Sequence, residues 1–149
     1  MRAAIGAAGI ANQKREGDHA TPRGLLPLRR VLYRADRIAP PRCAVPLEPI
    51  APDDGWCDDY AHPEYNRMIR ITPSLAHPAR HEALWRQDEL YDVVGVLGWN
   101  DSPVIPGRGS AIFLHLARPD YAPTEGCIAL AKGDLLALLA AGLTAIRVD

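Results

Sequence analysis

The sequence predicts a mainly β fold in a single domain, residues 1–149, with one or two short helices. A chain of 149 residues has about the commonest size for one domain, and no repeat or linker interrupts it. Apolar residues make up 48% of the chain, which is enough to bury a core. Several short stretches alternate in polarity and are rich in β-forming residues, and turn residues separate them.

The first half of the chain is predicted to hold three strands. Residues 2–10 form a candidate strand of small residues, and residues 12–24 are polar and rich in turn residues. Residues 25–33 and 66–72 mix apolar residues with arginines, which is typical of half-buried strands. Residues 38–54 are too rich in proline for a helix or a central strand, so we expect a long, ordered surface loop there.

The second half of the chain is predicted to hold a short helix and two buried strands. Residues 78–90 predict the helix, with Trp85 on its buried side, and residues 91–99 predict a strand rich in β-forming residues. Residues 110–117 predict a strand with two apolar faces, so we expect it at the centre of a sheet. One face carries Ile112, Leu114 and Leu116, and the other carries Ala111, Phe113 and His115.

The C-terminal residues predict a further short helix, followed by the last strand. Asp134 is the expected N-cap residue of this helix, and Gly142 marks its expected C-terminal end. Residues 144–148 alternate in polarity again and are expected to close the sheet.

His115 and Cys127 are the candidate catalytic residues. Twelve positions separate them, and the prolines in between favour a loop that turns the chain back on itself. A thiol and an imidazole that meet in this way can form a nucleophilic pair. Gly126 gives the backbone extra freedom, and we expect its amide and that of Cys127 to face a developing oxyanion. A positive charge on His115 would lower the thiol pKa and favour the thiolate.

The charge balance and the apolar stretches exclude other classes of partner. The net charge is −1 and there is no long basic run, so the sequence lacks the positive charge that binding of a nucleic acid requires. No apolar stretch approaches the length of a membrane span, so we expect no membrane partner. The N-terminal apolar run is too weak for a signal-peptide core. We therefore expect a cytoplasmic protein, or a periplasmic one if a signal was removed from this chain.

The other potential metal ligands lack a regular spacing, so we expect no metal and no cofactor. The three cysteines are an odd number, so at least one is unpaired, and Cys43 and Cys57 are either paired or reduced. His77 and His81 have the spacing of a helical metal pair, but Pro78 interrupts such a helix, and we interpret both as solvated. A second candidate metal site contains Cys57, Asp58, Asp59 and His62, but these residues lack a regular ligand spacing such as C-x₂-C.

One motif consists of His115, a spacer and Thr124-Glu125-Gly126-Cys127. It resembles the signature of the L,D-transpeptidase (YkuD-like) catalytic domain family. That signature is a histidine, a dozen or more residues, and Ser/Thr-x-Gly-Cys. The resemblance extends from about residue 3 to the end. Further matching segments are Lys14-Arg15-Glu16-Gly17-Asp18, Thr21-Pro22-x-Gly24, Gly55-Trp56-Cys57-Asp58-Asp59, Tyr65-Asn66-Arg67, Trp85-Arg86-x-Asp88 and Pro106-Gly107-Arg108-Gly109-Ser110.

The resemblance implies a β-sandwich of the L,D-transpeptidase type and a cysteine enzyme that acts on peptidoglycan stem peptides or muropeptides. In that family the thiolate attacks the bond between the third stem residue and a terminal D-alanine, which gives a thioester. Transfer of the acyl group to an amine is transpeptidation, and transfer to water is carboxypeptidation. Without an export signal, we favour carboxypeptidation of stem tetrapeptides. The family also implies a hairpin over residues 12–24, where the alternative is a surface loop.

The resemblance also implies roles for individual residues. Cys127 is the expected nucleophile, His115 the acid–base residue, and Gly126 part of the oxyanion hole. The residues that we expect to bind substrate are Arg108, which we rank first because it lies closest in sequence to the His115 strand, and Arg67, Arg86, Trp56, Ser110 and Thr124.

Two positions depart from the family pattern. Glu125 stands where many members have histidine, and Ala129 stands where many have arginine. These departures motivate an alternative function, a catalytically inactive module that binds peptidoglycan fragments. A third hypothesis is a metal- or redox-sensing protein that uses Cys57 and Cys127.

Overall fold

The computed structural model describes residues 1–72 and 77–149, and it confirms the mainly β fold. A single helix lies within these residues, α1 (Lys132–Ala140). The strands are β1 (Ala3–Ala4), β2 (Ile10–Ala11), β3 (Thr21–Pro22), β4 (Gly24–Tyr33), β5 (Leu47–Pro49), β6 (Asp54–Cys57), β7 (Met68–Arg70), β8 (His81–Ala83), β9 (Val93–Leu97), β10 (Phe113–Leu116), β11 (Ile128–Leu130) and β12 (Ala145–Val148).

The strand that carries His115 lies inside a seven-stranded sheet, as its apolar sequence predicts. The strand order is β1-β11-β10-β9-β4-β12, and β5 pairs with β4 beside this path. β10 runs antiparallel to β9 and parallel to β11. All four residues of β10 are buried, because other layers of the protein cover both faces of the strand.

The two faces of β10 face two different cores, as the alternation of its side chains predicts. Leu114 and its neighbours on that face pack with α1, whose Leu135 and Leu139 are almost fully buried. Ala111 and Phe113 belong to a second core with Trp56 of β6, which lies in a three-stranded sheet of order β7-β6-β8. The curled large sheet and the small sheet therefore form a sandwich.

The helix predicted over residues 78–90 is wrong. The structure has β8 there, and β8 pairs antiparallel with β6. The residues that follow β8 form turns in which Asp88 accepts a hydrogen bond from the Leu90 amide at 3.2 Å. Such local side-chain bonds compete with helix formation. Trp85 is partly buried against the second core, and the Arg34 guanidinium lies 3.5 Å from its ring centroid.

The N-terminal segment differs from the single strand predicted over residues 2–10. It is divided into β1 and β2 with Gly6 between them, where an added Cβ would lie 2.4 Å from the carbonyl oxygen of His19. β2 pairs with β3 in parallel, so the segment between them is not an antiparallel hairpin. In the proline-rich loop, β5 adds a short parallel pairing to β4.

The C-terminal helix has the predicted end but not the predicted cap. Its N-cap residue is Ala131, which makes no capping hydrogen bond, and Asp134 lies in the first turn instead. A carboxylate there still interacts favourably with the helix dipole. Gly142 follows the helix with a φ of 94°, which suits glycine. Across the part of the chain that is described, no helix is long and apolar enough to cross a bilayer.

Candidate active site

Cys127 and His115 line the same cavity, which has a volume of about 390 Å³. The parallel pairing of β10 with β11 puts Leu114 opposite Ile128 and His115 opposite Ala129. Cys127 immediately precedes β11 and therefore lies beside Phe113. Side chains alternate along both strands, so the thiol and the imidazole share one face of the sheet.

The turn before Cys127 is fixed by hydrogen bonds of Thr124. Its Oγ1 donates to the carbonyl oxygen of Cys127 at 2.6 Å and accepts the Gly126 amide at 3.1 Å. Gly126 has a φ of 141°, and a Cβ there would lie 2.8 Å from the Ala20 carbonyl oxygen, so only glycine fits. Thr124 accepts the hydrogen of the Gly126 amide in this structure, and the oxyanion role of that amide stays a prediction.

The tautomer of His115 is fixed by the backbone. Its Nδ1 lies 2.9 Å from the carbonyl oxygen of Leu116, and a carbonyl only accepts hydrogen bonds, so Nδ1 carries the hydrogen. Nε2 on the other side of the ring is left with a lone pair. His115 is 7% exposed, and its ring packs edge-on against Tyr91 with 5.2 Å between the ring centroids. Burial lowers the pKa of His115, so the imidazole is neutral at pH 7.

The thiol of Cys127 is also neutral at rest. It donates to the Ala111 carbonyl oxygen at 3.2 Å and accepts the Phe113 amide at 3.4 Å. Burial, and next the charge of Glu82, raise the thiol pKa to about 12. A resting thiolate favoured by a charged His115 is therefore a wrong expectation. The thiol must lose its proton during the attack itself, and the bare Nε2 of His115 suits that role.

This neutral pair predicts a specific pH dependence. We expect alkylation of Cys127 by iodoacetamide to be slow at neutral pH and to accelerate only in alkaline solution, because the thiol pKa is raised. We expect kcat/KM to fall with decreasing pH only below the ordinary histidine value of 6.5, because the pKa of His115 is lowered. The measurements are alkylation and activity profiles, with Cys127→Ala correcting for Cys43. Fast alkylation that is already complete in mildly acidic solution would show a thiolate–imidazolium pair instead.

The cavity also contains a glutamate and a tyrosine that the sequence did not single out. The Tyr91 hydroxyl donates to Glu82 Oε1, and both residues line the cavity beside the thiol. Burial raises the pKa of both groups. Glu82 was placed in a predicted helix and Tyr91 in a predicted strand, so no sequence signal connected them.

The structure brings only some of the predicted substrate residues to this cavity. Arg86 lines it, but Arg108 is exposed and lies outside its lining. Arg67 and Trp56 line a second cavity of about 480 Å³. Trp56 is held there by a hydrogen bond from its Nε1 to Asn66 at 3.0 Å. Arg118, which the sequence analysis did not consider, is exposed and lines the first cavity.

Ser110 and Thr124 line the first cavity, and both make internal hydrogen bonds. The Ser110 hydroxyl donates to Glu16 Oε1 at 2.5 Å, and the Tyr65 hydroxyl donates to the same oxygen at 2.7 Å. Glu16 lines the cavity as well, and it raises the pKa of Tyr65 together with burial. These contacts indicate that Ser110 and Thr124 shape the cavity wall.

The remaining cysteines and histidines do not form a second centre. The three cysteines are all free, and Cys57 is fully buried in a separate core cluster, so it forms no redox pair with Cys127. The rings of His77 and His81 lie 5.7 Å apart, and both residues are half-buried. Within residues 1–72 and 77–149, no group of three or more potential ligands is arranged to hold a metal ion.

Comparison with known proteins gives one match. The family model described as the YkuD L,D-transpeptidase catalytic domain matches residues 1–145 of the 149. No curated protein and no solved structure matches the chain.

Proposed function

Because the chain belongs to the L,D-transpeptidase (YkuD) catalytic domain family, we propose that it is a cysteine-dependent enzyme that releases the terminal D-alanine of peptidoglycan stem tetrapeptides. The observation that carries the proposal is the bare Nε2 of His115 on the sheet face that carries the Cys127 thiol. A neutral base and a neutral thiol in one cavity are the starting state of general-base nucleophilic catalysis.

In the first half-reaction, His115 transfers one proton. Nε2 takes the proton of the Cys127 thiol while the sulfur attacks the carbonyl carbon of the third stem residue. The tetrahedral intermediate collapses, the bond to the D-alanine nitrogen breaks, and the imidazolium gives its proton to the leaving amine. The products are free D-alanine and a thioester on Cys127. The hydrogen bond of Nδ1 to Leu116 stabilises the imidazolium that forms between these two transfers.

Arg118 is the proposed partner of the substrate carboxylate, in place of Arg108. Arg86 is already bound by both oxygens of Asp88, at 2.8 and 2.7 Å. Arg118 has no ion-pair partner within the described part of the chain, and its exposed guanidinium lines the cavity. Arginine suits a carboxylate because its planar fork binds both oxygens.

We expect Arg118→Gln to raise KM for a stem tetrapeptide roughly tenfold, the equivalent of about 1.4 kcal/mol, because it removes a charge-assisted contact at an exposed site. We expect kcat to change much less. The measurement is steady-state release of D-alanine. The matched control is Arg108→Gln, which removes an exposed arginine outside the cavity. If Arg108→Gln raised KM and Arg118→Gln did not, the assignment would be reversed.

Water is the proposed acyl acceptor, so the enzyme acts as an L,D-carboxypeptidase. A cavity of about 390 Å³ is near the lower end of the range for ligand pockets, which suits one peptide end better than two peptides. The experiment is incubation with a disaccharide tetrapeptide, followed by mass spectrometry. We expect a disaccharide tripeptide and free D-alanine. Cross-linked dimers without free tripeptide would show that the acceptor is an amine.

A second candidate function is a catalytically inactive domain that binds peptidoglycan fragments. The observation that favours it is the hydrogen bond of the thiol to Ala111, together with the raised thiol pKa. Glu125 and Ala129, the two positions that depart from the family pattern, also line the cavity. Calorimetric binding of a tetrapeptide without any release of D-alanine would support this candidate.

A further inference from the structure

Glu82 is a carboxylate on the cavity wall opposite the catalytic strands. It lies in the middle of β8, in register with Trp56 of β6. Its Oε1 accepts the hydrogen bond of Tyr91. Its other oxygen has no hydrogen bond to the described residues, and within them no fully buried side-chain oxygen lacks a partner. Oε2 is therefore not fully buried, and it belongs to a side chain that lines the cavity.

Tyr91 connects this carboxylate to the catalytic pair. Its hydroxyl binds Glu82, and its ring packs edge-on against the His115 ring. Glu82 and Cys127 line the same cavity, and the charge of Glu82 raises the thiol pKa. The thiol thus has His115 on its own sheet face and Glu82 on the wall formed by the small sheet.

A carboxylate at this position hinders the first half-reaction, because its charge disfavours a thiolate. Buried ionisable groups with a raised pKa in a cavity are frequent at functional sites. A role in the second half-reaction, in which the thiolate leaves, accounts for the position of Glu82.

We propose that Glu82, oriented by Tyr91, is the base that takes a proton from the water attacking the thioester on Cys127. This inference rests on the proposed function, because it requires an acyl-enzyme. The water oxygen bonds to the thioester carbonyl carbon, and its proton passes to Glu82 Oε2. The C–S bond breaks as the intermediate collapses, and the sulfur leaves as a thiolate. The proton on Glu82 then passes to the sulfur, which restores the carboxylate and the thiol.

The environment of Glu82 suits this role. Burial raises its pKa, and a carboxylate with a higher pKa is a stronger base. The hydrogen bond from Tyr91 and the charge of Arg86 act in the opposite direction and favour the ionised carboxylate that a base requires. Tyr91 also occupies Oε1, which leaves Oε2 to face the water.

The first test is Glu82→Gln, which keeps an acceptor for Tyr91 but removes the base. We expect steady-state release of the tripeptide to fall roughly 10²-fold, the typical contribution of a general base. Acid quenching and intact-mass analysis should show tripeptidyl adduct accumulating on Cys127. The matched control is Glu125→Gln, which removes another cavity carboxylate that is exposed and has no tyrosine partner. We expect no adduct to accumulate in this control.

The second test is Tyr91→Phe, which retains the carboxylate and serves if Glu82→Gln does not fold. Loss of the hydroxyl raises the pKa of Glu82, so the acidic limb of the deacylation rate should move to higher pH. A merely structural role of Glu82 would leave this limb in place. The inference would be overturned if wild type and Glu82→Gln had equal turnover, or if both glutamine variants accumulated the same amount of adduct. It would also be overturned if the pH dependence of deacylation were the same in Tyr91→Phe as in the wild type. If the wild type forms no adduct and releases no D-alanine, the proposed function itself fails.

Discussion

Cys127→Ala is expected to abolish the release of D-alanine from a stem tetrapeptide, with kcat lowered by roughly 10⁴-fold or more. The alanine methyl group cannot form the thioester, and no other cysteine lines the cavity. The fold should survive, because the thiol contributes only two weak hydrogen bonds, to Ala111 and from Phe113. The measurement is D-alanine release under single-turnover conditions.

Cys43→Ala is the matched control for this prediction. Cys43 is also a free, half-buried cysteine, but it packs against the core on the other side of the sheet. We expect its replacement to leave turnover within about twofold of the wild type, as for a residue remote from the chemistry. Activity that survived in Cys127→Ala and was lost in Cys43→Ala would place the nucleophile elsewhere.

His115→Gln is expected to lower kcat by roughly 10²–10⁴-fold, the typical contribution of a general acid–base residue. Glutamine can still donate a hydrogen bond to Leu116, but its amide cannot take the proton of the thiol. The acidic limb of the kcat/KM profile should disappear with the imidazole. The measurements are kcat at neutral pH and the pH dependence of kcat/KM, with the thermal midpoint followed by circular dichroism.

Added imidazole provides the control for His115→Gln. A small base that enters the cavity should restore part of the rate, whereas a folding defect would not respond. A kcat within about threefold of the wild type at all pH values would show that His115 is not the base.

Local patterns in the sequence predicted the central strand and its two faces. The alternation of Ile112, Leu114 and Leu116 is complete within a few residues, so the sequence alone contains it. β8 was missed because its pairing is not local: Gly55 lies opposite Ala83, far along the chain. A short segment with a mixed pattern becomes a strand only when a partner strand is present.

Arg108 does not line the cavity although it lies close in sequence to the His115 strand, because closeness in sequence is not closeness in space. Gly107 and Gly109 on either side have φ values of 84° and 108°, which turn the backbone and leave the arginine exposed. Arg118 follows β10 in the sequence, and it lines the cavity. The sequence contained both arginines, but only the course of the chain distinguishes them.

The charge state of the catalytic pair was also beyond the sequence. Residue types alone favoured an ion pair between His115 and Cys127. The structure buries His115 almost fully and Cys127 in part, and Glu82 lines the same cavity as the thiol. The pKa of the imidazole therefore falls and that of the thiol rises. Burial arises from contacts between distant segments, which spacing along the chain does not reveal.

The central claim is that Cys127 is a nucleophile in a functional acyl-transfer cavity. Its most direct test is the intact mass of the protein after incubation with a carbapenem, a β-lactam that acylates active members of this family. We predict one covalent adduct on the wild type and none on Cys127→Ala. An unmodified wild type, or an adduct that persists on Cys127→Ala, would contradict this claim.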